Sequence, residues 1–235
     1  MGRIISILII LISAGIINNP CNIYAKKEEE SFRGMRILKF PFYIFSYRVK
    51  ESPFALSGYA GDVNSMRVEK IKDKYTGKAC LRIIYTPLTG EKCAGWAGLY
   101  WQYPANNWGD NDEGGYDLSG AKYLYFSARG KRGDEIIEVK VGGIKGRYGD
   151  SDEISTGYIS LEPYWRMYRV ELKNRDLKNI IGGFGIFFTS VVNPDKITVY
   201  LNEIFYSKRD FPENRKWINL IRKYNRNIFS WRKGR

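Results

Sequence analysis

The sequence contains no histidine, and only three cysteines and eight prolines among its 235 residues. Catalysis by Ser-His-Asp or Cys-His groups is therefore excluded, and so are zinc sites and pH switches that use histidine. Three cysteines are too few for a disulfide-rich secreted scaffold. The longest apolar run, over residues 4–17, is shorter than the ~20 residues that a membrane-spanning helix needs.

That apolar run has the features of a secretory signal peptide. Arg3 precedes it, and a short polar stretch then leads to Ala25. We therefore expect residues 1–25 to be removed and the mature protein to be secreted, periplasmic or attached to the cell surface. An exported chain permits a disulfide between Cys80 and Cys93, which we predict to lie near the two ends of a hairpin; two small buried residues are the alternative.

The positive charge is concentrated at the C-terminus. The chain carries a formal net charge of +13, and residues 207–235 contribute ten Lys or Arg and only two acidic residues. The rest of the mature chain is close to neutral, so a nucleic acid is not expected as its main partner.

The same segment has an amphipathic pattern. Asp210 and Glu213 have the spacing of a capping box, and five apolar residues come after them at helical intervals. These are Trp217, Leu220, Ile221, Tyr224 and Ile228. Residues 207–235 are thus predicted to form a basic tail, in part helical. The tail either lies on an anionic surface of the cell envelope, or it is frayed or packs back onto the domain.

Between a charged linker (residues 26–39) and this tail, residues 40–206 predict an all-β domain. About ten short segments with alternating or β-prone side chains are separated by Gly, Asp and Asn, which indicates a sandwich of two antiparallel sheets. Residues 57–62 are expected to form a turn, residues 142–155 a loop, and residues 177–181 one helical turn. The apolar phase changes between Leu201 and Ile204, so we predict a β-bulge at Asn202-Glu203.

Residues 95–108 hold three of the six tryptophans. Read as a strand, the segment places Ala97, Leu99 and Trp101 on one face and Trp96, Tyr100 and Gln102 on the other. Large aromatic residues on both faces have two interpretations. A second segment covers the outer face, or flat rings beside amides form a platform for a sugar, whose C–H faces stack on rings and whose hydroxyls bind polar groups.

The order of motifs resembles a known family. The run GWAGLYWQYPANNWG, followed by GGYDLSGAKYLYFSARG, VGGI, Asp150-Ser151 and IGGFG, is similar to bacterial extracellular domains with the galactose-binding-like jelly roll. That group includes many non-catalytic carbohydrate-binding modules, and the similarity covers about residues 55 to 206. The resemblance thus implies a jelly-roll fold and a glycan partner. With the aromatic pattern, it gives a predicted ligand site of Trp96, Tyr100, Gln102, Asn106, Asn107, Trp108 and Asp150.

The resemblance also implies a structural calcium ion between an early loop and the last strand. In this sequence the implied ligands are Asp62, Asn64, a carbonyl near Gly77, and Glu203. Two other functions remain open. One is a structural module of the cell envelope that binds a protein. The other is a glycan hydrolase or lyase, although no Glu is followed two positions later by Asp, as the strand motif of jelly-roll β-glucanases requires.

The tail hypothesis can be tested directly. Residues 210–232 should become helical on anionic lipid vesicles, measured by circular dichroism, and salt should weaken the binding because screening reduces charge attraction. Deletion of the tail should leave the melting temperature of the domain nearly unchanged. A deletion that unfolds the domain would show instead that the tail is part of the core.

Overall fold

A computed structural model of the chain describes residues 39–47 and 52–210, and these form a sandwich of two antiparallel β-sheets. This confirms the predicted all-β jelly-roll class. The described residues form one short 3-10 helix (Val63–Ser65) and eleven strands. The strands are β1 (Phe42–Phe45), β2 (Ala55–Gly61), β3 (Met66–Lys72), β4 (Ala79–Tyr85), β5 (Trp96–Gln102), β6 (Tyr123–Gly130), β7 (Ile136–Gly142), β8 (Glu153–Ser160), β9 (Arg166–Glu171), β10 (Gly182–Thr189) and β11 (Ile197–Ser207).

The eleven strands divide between two sheets. Sheet A has the order β3-β4-β11-β6-β9, and β1 pairs with the second half of β11. Sheet B has the order β2-β5-β10-β7-β8. All pairs are antiparallel, so each strand presents alternate side chains to the core and to the outside.

The core lies between the two inner faces. Trp101, Phe184 and Phe126 meet there edge to face, with ring centroids 5.5 and 5.6 Å apart. The hydroxyl of Tyr206 donates to the carbonyl of Gly183 at 2.5 Å, so a tyrosine with no exposed surface is satisfied. Burial of these large side chains is the main favourable contribution to folding.

The predicted β-bulge in the last strand is confirmed. Asn202 pairs with Ser127, and the next pair on β6 joins Phe205 to Tyr125, so the register shifts between them. Glu203 adopts a φ of 49°, which is unusual for a residue other than glycine. The shift lets Leu201 and Ile204 both face the core, although they differ in phase.

Strand β2 occupies residues that the sequence predicts as a turn. Its Ser and Gly content reflects close approach to β5, since a Cβ on Gly58 would lie 2.7 Å from Cδ of Gln102 and 2.8 Å from Cβ of Tyr100. The helical turn predicted over residues 177–181 is also wrong, because Ile180 bonds through its backbone to Tyr116. Strand β8 begins at Glu153, inside the predicted loop.

Cys80 and Cys93 are both free thiols, so the disulfide hypothesis is wrong. The expected hairpin does not exist, because Cys80 lies on β4 of sheet A and Cys93 precedes β5 of sheet B. Cys80 is buried and Cys93 is partly exposed.

The predicted signal peptide and all of the predicted tail from residue 211 lie outside the described residues. Strand β11 continues to Ser207, and the carboxylate of Asp210 accepts hydrogen bonds from Tyr125 at 2.7 Å and Arg169 at 2.5 Å. A deletion that tests the tail should therefore begin at residue 211. No helix within the described ranges is long and apolar enough to cross a bilayer.

A buried ion pair joins the β3–β4 turn to β6. Asp73 and Arg129 are 1% and 3% exposed, and their charged atoms are 2.9 Å apart. Asp73 also accepts from the indole of Trp165 and the backbone of Thr76, while the guanidinium lies 3.6 Å from the ring centroid of Tyr200. Burial on its own raises the pKa of Asp73, but the bonds from Arg129 and Thr76 outweigh it and lower this pKa below its usual range.

Asp73→Ala should reduce the free energy of unfolding by about 3–5 kcal/mol, because it leaves the Arg129 charge buried without its partner. A matched control is Asp134→Ala, which breaks the exposed pair with Arg132 and should cost less than about 1 kcal/mol. Urea unfolding measures both. Equal losses in the two variants would contradict the structural importance of the buried pair.

Candidate functional site

The side chains of β5 alternate as the sequence predicts. Ala97, Leu99 and Trp101 face the core, and Trp96, Tyr100 and Gln102 face outward from sheet B. Of the outward three, only Trp96 is exposed, with 40% of its surface accessible. The outer face of β5 is therefore covered at Tyr100 and Gln102 and open at Trp96, and the sugar platform stays a prediction.

Tyr100 is covered by two other rings. Phe187 of β10 and Trp108 of the following loop pack against it edge to face, with centroids 5.2 and 6.2 Å away. Its hydroxyl donates to the carbonyl of Gly142 at 3.1 Å, and burial raises its pKa. Only 6% of the residue is exposed, so Tyr100 supports the site from below and is not available for stacking.

Glycines form the floor on which these rings lie. A Cβ on Gly98 would be 2.3 Å from the Phe187 ring, and a Cβ on Gly185 would be 2.6 Å from the Tyr100 ring. Real Cβ atoms do not approach ring carbons this closely, so alanine at either position would force the ring away from the sheet. The position of the rings thus depends on missing side chains in β5 and β10.

Two of the amides predicted to bind a sugar, those of Gln102 and Asn107, are buried in the structure. Gln102 has no exposed surface, and its amide donates to the carbonyl of Asn107 at 2.7 Å while accepting from the hydroxyl of Ser57 at 2.9 Å. Asn107 is 2% exposed and bonds to the backbone of Gly109 and Gly114. Both amides shape the loop after β5, and neither is accessible to a ligand.

Four rings form a continuous band across the outer face of sheet B. From one end to the other, the band contains Trp96, Phe187, Tyr100 and Trp108, with successive centroid distances of 6.1, 5.2 and 6.2 Å. The two middle rings are largely covered, whereas the indoles at the ends are 40% and 41% exposed. The band therefore offers two separate places where a flat ligand can stack.

At the Trp96 end, the band borders a groove of about 310 Å³ that we call the sheet-B groove. Trp96 and Phe187 form one side, and Tyr158 of β8, which is 60% exposed, lines the groove as well. Glu138 and Lys140 of β7 form its polar side. Aromatic rings beside charged groups are the combination that recognises a sugar ring and its hydroxyls.

The charges in the sheet-B groove are balanced and fixed in position. Lys140 lies 3.1 Å from Glu153 and 3.8 Å from Glu138, and Glu138 accepts a hydrogen bond of 2.6 Å from the hydroxyl of Ser155. The ammonium group also lies 5.4 Å from the centroid of the Phe187 ring. The bonds from Lys140 and Lys145 lower the pKa of Glu153. The groove thus presents both donors and acceptors without a large net charge.

At the other end of the band, Trp108 lines a more open cleft of about 570 Å³ between two loops, which we call the loop cleft. Asp110, Asp112, Arg147 and Tyr148 are among its other lining residues. Asn106 is exposed just before Trp108, and its backbone N–H donates to Ser57 at 2.9 Å. Of the predicted ligand residues, Trp108 therefore lines this cleft, separate from Trp96, and Asn106 is exposed two positions before it.

Asp150 anchors a loop, and its predicted contact with a sugar stays a prediction. One carboxylate oxygen accepts from the backbone of Ile144 at 2.7 Å, and the other accepts from Ile181 and from Gly182. Burial raises the pKa of this carboxyl to about 6, although the backbone donors act in the opposite direction. Both oxygens are thus used to join the loop after β7 to the start of β10.

The predicted calcium ligands do not come together. Asp62 and Asn64 precede β3, whereas Gly77 follows it, and a strand of seven residues spans about 20 Å. Glu203 adjoins Asn202, which bonds to Ala79 near the Gly77 end. The four-residue site is therefore wrong. No group of three Cys, Asp or Glu in the described part of the chain could hold a metal ion; calcium binding itself stays a prediction.

Four groove residues are absent from the predicted site: Phe187, Tyr158, Glu138 and Lys140. Glu138 and Lys140 alternate with the buried residues Ile137, Val139 and Val141, so the sequence indicates that one face of β7 meets water. The sequence does not indicate that this face lies close to Trp96. Phe187 follows Gly185 by two positions, so both lie on the same face of β10. A glycine beside an aromatic residue on one face indicates that a ring lies flat over the glycine. The pairing of β10 with β5 and β7, and of β7 with β8, brings these residues together.

Known proteins resemble this chain in its fold. No family model and no curated protein matches the sequence. Two crystal structures, each titled as a family 30 carbohydrate-binding module, align at a TM-score of 0.50. One is 16% identical over 72% of this chain and 88% of its own length, and the other is 17% identical over 71% and 98%. The chain has the jelly-roll fold of these modules.

A third similar structure is a family 11 carbohydrate-binding module from a cellulosomal cellulase of Clostridium thermocellum. It aligns at a TM-score of 0.49 with 14% identity, over 70% of this chain and 92% of its own. The first two similarities agree with the implied jelly-roll fold. The residues of any site in this chain have to be argued from its own side chains.

The raised pKa of Asp150 predicts a pH dependence of stability. Between about pH 4 and 6 the folded state binds a proton that the unfolded state does not, so protonation stabilises the fold and this contribution is lost as the pH rises through about 6. Relative to Asp150→Asn, the wild type should gain up to about 3 kcal/mol on going from pH 7 to pH 4. Urea unfolding at several pH values measures the difference, and parallel pH profiles would contradict it.

Proposed function

We propose that this chain is an exported, non-catalytic module that binds a glycan in the sheet-B groove. The observation that supports this most directly is the indole of Trp96, which is 40% exposed in a groove that also contains the ion-paired Glu138 and Lys140. A sugar stacked on Trp96 or Tyr158 would place its hydroxyls near these charged groups.

The fold supports the same partner. The two structures that align at a TM-score of 0.50 are titled as carbohydrate-binding modules, and this chain spans most of their length. The predicted signal peptide favours a location outside the cytoplasm, where polysaccharides are available as ligands. The side chains of the groove can bind a sugar, and the fold is one that carbohydrate-binding modules have.

The carboxyls of the groove favour binding over hydrolysis. A glycosidase needs a carboxyl with a raised pKa that can donate a proton to the leaving oxygen, paired with a second carboxyl. Lys140 lies between Glu138 and Glu153, and its bond lowers the pKa of Glu153. Asp150 has a raised pKa, but both of its oxygens accept backbone hydrogen bonds.

Trp96→Ala should weaken glycan binding by at least tenfold, which corresponds to about 1.4 kcal/mol. It should cost less stability than a core tryptophan would, because 40% of the residue is exposed. Stacking and a few hydrogen bonds give weak affinity for short sugars, so dissociation constants on the order of micromolar to millimolar are expected. Titration calorimetry with soluble plant, algal and bacterial glycans measures them.

Two control variants locate the ligand. Tyr59→Ala removes another exposed ring, outside the groove, and should leave affinity unchanged. Trp108→Ala removes the ring that lines the loop cleft and packs on Tyr100. If it abolishes binding while Trp96→Ala does not, the ligand lies in the loop cleft and the groove assignment fails. Absence of binding to any glycan by the folded wild type would favour a protein partner, and release of shortened products would reveal a hydrolase or lyase.

A further inference from the structure

We infer that Glu138 makes the sheet-B groove discriminate against anionic glycans, and that Ser155 is the positioning residue that holds the Glu138 carboxylate for this purpose. The inference rests on the proposed function, since it needs a glycan in the groove, and it adds the charge class of that glycan. Three observations carry it: the pairing of β7 with β8, a chain of hydrogen bonds that ends at Glu138, and a carboxylate oxygen that is left open to the groove.

A β-bulge in β8 brings Ser155 and Tyr158 to the same face of sheet B. Glu138 of β7 pairs with Tyr158, and the next outward residue of β7, Lys140, pairs with Ser155. Between these pairs β7 has one residue and β8 has two, the second of which is Gly157 with a φ of 62°. Residues three apart in a regular strand point to opposite faces, so the extra residue is needed for both to point outward.

The bulge also fixes the orientation of the Ser155 hydroxyl. The backbone N–H of Gly157 donates to Oγ of Ser155 at 2.9 Å, and this hydroxyl donates to Oε1 of Glu138 at 2.6 Å. A hydroxyl bonded to a carboxylate at such a short distance forms a strong, charge-assisted hydrogen bond. Ser155 does not line the groove, and it therefore acts on a ligand only through Glu138.

The second carboxylate oxygen of Glu138 is open to the groove. Ser155 and Lys140 both approach Oε1, and no group in residues 39–47 and 52–210 donates to Oε2. The side chain is 25% exposed and lines the groove. A carboxylate only accepts hydrogen bonds, so the ligand atom at Oε2 has to be a donor such as a sugar hydroxyl.

Glu138 lies where a stacked sugar would meet it. It pairs with Phe187 on one side and with Tyr158 on the other, so the three side chains form a row across β10, β7 and β8. Neighbouring strands are about 4.8 Å apart, which places Glu138 one strand from each ring. A sugar that stacks on the exposed ring of Tyr158 thus has an edge beside the open oxygen.

Lys140 does not compensate an anionic ligand for the repulsion by Glu138. Its ammonium lies 3.1 Å from Glu153 and 3.8 Å from Glu138, so two carboxylates already balance its charge. Its distance to Glu138 is too long for a hydrogen bond, and an ammonium with three N–H groups can still donate to a sugar hydroxyl. The pair therefore fits neighbouring hydroxyls of a neutral sugar, whereas an anion beside Glu138 is disfavoured by like charge.

Matched sugars test this discrimination. Short oligosaccharides of glucose, galactose and mannose are compared with the same compounds after oxidation of their primary hydroxyls to carboxylates. Titration calorimetry of the full chain at high salt gives the affinities, because salt suppresses attraction of the acidic sugars to exposed Lys and Arg more than contacts inside the groove. Binding counts as groove binding where Trp96→Ala weakens it by about tenfold or more. The neutral sugar should bind about tenfold more tightly than its acidic counterpart.

Two variants separate the charge of Glu138 from its position. Glu138→Gln keeps the shape of the side chain and should reduce the preference for the neutral sugar to about threefold or less, by raising the affinity for the acidic one. Ser155→Ala should also reduce the preference, because the carboxylate is no longer fixed, and Ser155→Thr should restore it by keeping the hydroxyl. The matched control is Glu171→Gln on β9, which removes the same charge from an exposed pair with Lys173 and should keep the preference.

Each failure has a different signature. Groove binding of the acidic sugar that equals or exceeds that of the neutral one would overturn the inference and leave the proposed function intact. An unchanged preference in Glu138→Gln would overturn the role of Glu138, and an unchanged preference in Ser155→Ala would overturn that of Ser155. If no sugar of either kind shows binding that depends on Trp96, the proposed function fails and the inference fails with it.

Discussion

The packing of sheet B is determined by β5, whose large apolar side chains must be shielded from water on both faces of the strand. This strand lies inside sheet B between β2 and β10, and it carries large apolar side chains in both directions. One face is buried in the sandwich by the ordinary packing of two sheets. The other is covered by Phe187 and by the loop that carries Trp108. The groove begins where this cover ends, so the proposed site is a product of the packing that protects the strand.

The local pattern of the chain is largely readable from the sequence. Two-residue alternation correctly separates Trp101 from Trp96, and the change of phase near the end of β11 correctly predicts the bulge at Glu203. These features depend on residues that are neighbours in the chain. Strand β2 is missed because its serine and glycines resemble a turn, and only the contact of Gly58 with β5 explains them.

The candidate site is less readable, because exposure depends on residues that are distant in sequence. Gln102, Asn107 and Asp150 have the chemistry of sugar ligands, yet they satisfy backbone groups of the loops around the band. Buried polar groups must find partners, and amides that hold loops have the same sequence signature as amides that hold sugars. The position of Glu138 beside the Trp96 end of the band depends entirely on the pairing of β7 with β10.

Cys80 and Cys93, the free cysteines in the described part of the chain, differ in a way that is convenient for labelling in solution. Burial, together with the nearby Asp73 carboxylate, raises the pKa of the Cys80 thiol to about 12, so this thiol is almost entirely protonated at neutral pH and shielded from reagents. Cys93 is partly exposed and precedes Trp96 by three residues. In a chain of residues 26–235, whose cysteines are Cys80 and Cys93, a maleimide dye should attach at Cys93 alone, which places a fluorescent reporter three positions before Trp96 without any engineered residue.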